Sequence, residues 1–101
     1  MLGAGSWGTT VASLLASVVP TVLWARDPDL AVDLASGRGN SRYLPGLDLA
    51  SSLEATADLG AAVGEADLIL AAIPTHGFRS VLADASAHLA PGVPVLSLAK
   101  G

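Results

Sequence analysis

Apolar residues along the chain fall into two alternating patterns, one of helical period and one of continuous short runs. From Ser6 to Val18 the large apolar residues Val11, Leu14, Leu15 and Val18 recur at i, i+3, i+4 and i+7, which predicts a helix buried on that face. Pro20 ends it. Thr21–Ala25 is an unbroken apolar run rich in strand formers, as expected of a strand covered on both faces. Asp27-Pro28 then reads as a turn and helix start, and that helix stops at Gly37. Residues 38–52 form a long loop, and a short strand is expected near 53–56. Asp58 can cap a helix running to Gly64. Asp67–Ile73 is a second buried strand, stopped by Pro74, with Thr75–Gly77 as a loop. Phe78, Leu82, Ala85 and Leu89 mark the next helix, Pro91-Gly92 a turn, and Val93–Leu98 the last strand.

Strands alternating with helices predict βαβ units and an α/β fold, a Rossmann-like parallel sheet with flanking helices. Only Met1 and Leu2 precede the first glycine, so a truncated first strand is expected. In such sheets ligands bind beyond the carboxyl ends of the strands. The segments that follow strands are Gly3–Trp7, Arg26–Asp27, Pro74–Phe78 and Lys100–Gly101, so the residues of chemical interest are expected on one edge.

Bulk properties narrow the function classes. A chain of 101 residues is one domain, and 51% apolar against 14% charged residues is a folding composition rather than a disordered one. The net charge of −4 and the lack of any Lys/Arg run argue against nucleic acid and anionic membranes as partners. With no cysteine, thiolate chemistry and disulfides are excluded. His76 and His88 stand apart with no ligand pattern, so no metal site is expected. The apolar stretch from Val11 to Ala25 is shorter than the roughly 20 residues a membrane span needs and is broken by Pro20. A cytoplasmic location fits these features.

Gly3-Ala-Gly-Ser-Trp-Gly8 is a G-x-G-x-x-G motif. In the dinucleotide-binding version the first glycine (Gly3) permits the tight strand-to-helix turn. The second (Gly5) lets the backbone approach a pyrophosphate, and the third (Gly8) lets the helix pack closely on the sheet. Free N–H groups near Ser6 and Trp7, at the positive end of the helix, would be the phosphate donors. The motif alone is weak in a chain with 11 glycines, and an ordinary Gly-rich turn is the bland alternative. The helix, buried strand and polar turn that follow favour nucleotide binding.

Such a motif expects an acidic residue about 20 positions on. Here Arg26 and Asp27 occupy that place. Arg26 could pair with a 2′-phosphate and favour NADP, or be a plain surface residue. Asp27 could bind a ribose hydroxyl, as in NAD enzymes, but capping the next helix is the better assignment. Trp24 is assigned to core packing, and His76 and Arg79 to solvent-facing or supporting positions.

Five segments in order, Gly-Ala-Gly-Ser-Trp-Gly-Thr (3–9), Leu-Trp-Ala-Arg (23–26), Arg-Tyr-Leu-Pro-Gly (42–46), Ala-Ile-Pro-Thr (72–75) with Phe78-Arg79, and Ser-Leu-Ala-Lys-Gly (97–101), resemble bacterial NAD(P)-dependent glycerol-3-phosphate dehydrogenase. The Tyr-Leu-Pro-Gly and Lys-Gly elements are the specific ones, since dinucleotide folds in general require neither. The resemblance implies reversible hydride transfer between NAD(P)H and dihydroxyacetone phosphate to give sn-glycerol 3-phosphate for phospholipid synthesis. It places Ser6, Trp7 and Arg26 on the cofactor, Pro74 along the cofactor path, and Lys100 beside both nicotinamide and substrate. Tyr43 is left between a loop anchor packing on the sheet and a role at the site.

The same resemblance implies that residues 1–101 are a partial NAD(P)-binding domain without the helical substrate domain and the proton-donating lysine. No catalytic residue is expected here, and a polypeptide of these residues alone is expected to be inactive. The full-length parent could form a homodimer. Asp27 stands where many members carry a second basic residue, which tempers the preference for NADP over NAD. Two other functions share the glycine motif: a non-catalytic NAD(H)-sensing module, and a dehydrogenase of the 6-phosphogluconate type. Lys100 speaks against the first and the Tyr-Leu-Pro-Gly and Lys-Gly elements against the second.

Overall fold

The computed structural model describes residues 1–37, 39–40, 46 and 48–98. Four strands alternate with four helices among them: α1 (Ser6–Ala16), β1 (Val22–Trp24), α2 (Pro28–Ala35), β2 (Glu54–Thr56), α3 (Leu59–Val63), β3 (Ile69–Ala71), α4 (Thr75–Ser86) and β4 (Val95–Ser97). β1 pairs parallel with β2, and β3 parallel with β4. Leu2 joins the two pairs, making parallel bridges to both Trp24 and Ala71. The order across the sheet is therefore β2, β1, the Met1–Gly3 segment, β3, β4. Continuity of the sheet through its centre rests on a few hydrogen bonds. Leu2 N–H donates to the Leu70 carbonyl (2.7 Å), Ala72 N–H to Leu2 (2.8 Å), and Trp24 N–H to Met1 (2.8 Å).

Alternation along β1 sorts the core onto two faces. Leu23 and Ala25 join Ala12, Ala16, Leu30 and Leu34 in one cluster, beneath α1 and α2. Trp24 joins Leu2, Val63, Ile69, Val81 and Ala85 in the other, beneath α3 and α4. Trp24 is a core residue, as its sequence context implied, and its indole N–H donates to the Ala57 carbonyl at 3.0 Å.

Three details differ from the sequence pattern. The buried face of α1 is Gly8, Thr9, Ala12 and Ala16, whereas Leu14 and Val18 are exposed. Small residues bring α1 close to the sheet, and close backbone approach outweighs the area that larger side chains would bury. Thr75–Gly77 is the first turn of α4 rather than a loop, since Pro74 sits at the N-cap and leaves the helix free to begin at once. The apolar run 67–73 is covered only at alternate positions. Ile69, Ala71 and Ile73 are buried, while Leu68 is exposed along a groove below Met1 that Val18, Val19 and Leu70 also line.

Candidate functional site

Because every pairing is parallel, the carboxyl ends of the strands share one edge. A cleft of about 910 Å³ opens there, lined by residues 3–8, 24, 26–27 and 72–77, with Leu30, Val81 and Leu98 at its margins. It brings together Gly3, Gly5, Ser6, Trp7, Gly8, Arg26 and Pro74, seven of the eight positions singled out in the sequence. The eighth, Lys100, and also Tyr43, lie outside the described residues.

The three motif glycines do different things. Gly3 has φ +105°, and a Cβ there would meet the Ala72 carbonyl oxygen at 2.5 Å. Only glycine fits both the conformation and the space. Gly8 is needed for packing, since a Cβ on it would collide with the Gly3 carbonyl oxygen and sit 3.2 Å from the Ala72 Cβ. Gly5 is neither strained nor crowded. Its φ is −71°, which any residue adopts, and a Cβ there would meet nothing within 4 Å. The protein itself gives no reason for glycine at position 5; a ligand approaching the backbone in the cleft would.

Gly5 is the N-cap of α1, and it offers no side chain to cap the helix. The first helical bond is Thr9 N–H to Gly5 carbonyl (3.0 Å), so the N–H groups of Ser6, Trp7 and Gly8 have no partner within the helix. No acidic residue stands in the first turn to neutralise the positive end of the helix. α4, which also opens on the cleft, begins at Pro74 and is likewise uncapped by a side chain. By contrast Asp27 caps α2, accepting from Asp29 N–H at 2.9 Å, and Asp58 caps α3, accepting from Ala61 N–H at 3.2 Å. The uncapped α1 start is therefore suited to bind an external anion.

Arg26 is exposed at the end of β1 and lines the same cleft. Trp7, 59% exposed in the first turn of α1, also lines the cleft. His76, exposed at the start of α4, also lines the cleft, as expected of a segment that follows a strand. One feature was not legible beforehand. Asn40, in the long connection after α2, is 1% exposed and reaches the back of the glycine turn. Its amide donates to the Ala4 carbonyl and to Thr9 Oγ1, both at 2.9 Å.

A glycine turn running into an uncapped helix, with a cleft at the carboxyl edge of a parallel sheet, defines a Rossmann-type dinucleotide-binding unit. The whole chain, residues 1–101, matches the family model described as the N-terminus of NAD-dependent glycerol-3-phosphate dehydrogenase, and it belongs to that family. Glycerol-3-phosphate dehydrogenase [NAD(P)+] 2 of Sphingopyxis alaskensis is 46% identical over 101 residues, covering all of this chain and 30% of that protein. Its namesake in Mycolicibacterium paratuberculosis is 48% identical over 103 residues, with 31% of that protein covered. The crystal structure of the glycerol-3-phosphate dehydrogenase of Coxiella burnetii superposes with a TM-score of 0.89 at 30% identity, over 99% of this chain and 31% of that one. The yeast enzyme from Saccharomyces cerevisiae gives 0.88 at 27% identity, over 99% and 32%. The chain thus spans about 30% of the length of the curated relatives it matches.

Proposed function

We propose that this chain is the cofactor-binding portion of a glycerol-3-phosphate dehydrogenase. The reaction is NAD(P)H + dihydroxyacetone phosphate + H⁺ ⇌ NAD(P)⁺ + sn-glycerol 3-phosphate, in service of phospholipid synthesis. The observation that carries this reading is Gly5, open where a Cβ would stand, at the head of a helix whose first N–H groups are unpartnered.

The residues present fit a dinucleotide. When bound, the nicotinamide donates or accepts the hydride. Ser6 and Trp7 N–H groups hold the pyrophosphate, with the dipole of α1 behind them. Arg26, exposed in the same cleft, would favour a 2′-phosphate through charge-assisted, bidentate bonds. Pro74 lines the same cleft, and the family resemblance assigns Lys100, outside the described residues, to nicotinamide and substrate. The described residues contain no helix long and apolar enough to cross a membrane.

Titration of the chain with NADPH and NADH, together with a turnover assay on dihydroxyacetone phosphate, tests the proposal. Saturable binding of at least one cofactor is expected. A chain that is folded and binds neither would contradict it.

A further inference from the structure

We infer that Asn40 is a positioning residue for the phosphate-binding turn, locking the Ala4–Gly5 peptide so that its N–H rather than its carbonyl faces the cofactor. This rests on the nucleotide reading of the cleft.

The side chain of Asn40 is buried, 36 residues along the chain from Ala4 and 31 from Thr9, so it is a long-range strut rather than a local turn. A carbonyl oxygen can only accept, so the amide nitrogen must face Ala4, and the two protons of that nitrogen are used on Ala4 and Thr9. Thr9 is itself fully buried on the inner face of α1. One side chain therefore grips both the strand-side and the helix-side limb of the glycine turn.

The consequence follows from peptide geometry. Every described peptide bond is trans, so the Ala4 carbonyl and the Gly5 N–H point in opposite directions. With the carbonyl drawn inward to Asn40, the N–H is turned the other way. Gly5, kept free of a side chain for the ligand, is also the residue least able to resist a flip of that peptide, since glycine takes positive φ without penalty. A flip would swing the Ala4 carbonyl oxygen outward, where it would repel a phosphate. Glycine at position 5 opens the site and loosens it together; Asn40 removes the looseness. The pyrophosphate is common to both cofactors, so loss of the strut should weaken NADH and NADPH by the same factor.

The test is cofactor titration of Asn40→Ala, Asn40→Asp, Thr9→Val and Thr9→Ser beside the parent chain, with melting curves in the absence of ligand. Each titration is run at a temperature where that variant is fully folded. Asn40→Ala is expected to raise both Kd values five- to tenfold and by equal factors. Asn40→Asp, which loses the donor and adds charge, should do at least as much. Thr9→Ser keeps the hydroxyl and should bind within twofold of the parent. A folded Asn40→Ala with a lowered melting point but both Kd values within twofold of the parent makes Asn40 a mere core anchor and overturns the inference. Should Asn40→Ala not fold, Thr9→Val decides: a Kd raised threefold or more relative to Thr9→Ser supports the strut, and an unchanged one overturns it. A folded parent chain that binds neither cofactor would instead refute the nucleotide reading itself.

Discussion

Gly8 lies directly against the carbonyl oxygen of Gly3, leaving no room for a side-chain carbon between helix α1 and the turn that precedes it. The contact sets how closely the start of α1 approaches the strand ends, and so fixes where its unpartnered N–H groups stand. Position 8 is thus a structural requirement, while position 5, three residues earlier, is not.

Gly8→Ala should accordingly damage the fold before it touches the ligand. Forcing a methyl group against backbone costs about 1–3 kcal/mol or more. Melting without cofactor should show a clearly lowered midpoint. A variant as stable as the parent would mean that α1 can shift outward freely, and that Gly8 does not fix its approach.

Arg26→Ala should separate the two cofactors. The side chain is exposed at the end of β1, and its loss leaves the sheet intact. A hydrogen bond to a charged group is worth about 1.5–3 kcal/mol, so NADPH affinity should fall about tenfold or more. NADH, without the 2′-phosphate, should lose less than threefold. Equal losses, measured by fluorescence titration, would show that Arg26 does not read that phosphate.

How much of this was legible in the sequence depended on the range of the interaction. Asp27-Pro28 announced both a helix start and its cap, because capping is settled within three residues. The cleft-lining positions from Gly3 to Gly8, Arg26 and Pro74 followed from the rule that parallel strands present their carboxyl ends together. The buried face of α1 was not legible from its large residues. Packing distance decided it, and Ala12 and Ala16 carry little hydrophobic signal. Asn40 was invisible for another reason: its partners lie more than 30 residues away, and an Asn in a loop ordinarily reads as turn chemistry.

Gly5→Val is the decisive substitution. A glycine needed for its conformation would lose stability and affinity together. With φ at −71° and open space where the Cβ would go, the fold should tolerate valine, and the loss should appear only when a phosphate tries to approach. The measurement is a pair: the ligand-free melting midpoint and the NADPH and NADH dissociation constants of the same variant. Nucleotide binding at this turn predicts a midpoint close to that of the parent with affinity reduced at least tenfold, about 1.4 kcal/mol. A Gly5→Val chain that melts normally and binds both cofactors as the parent does would contradict it.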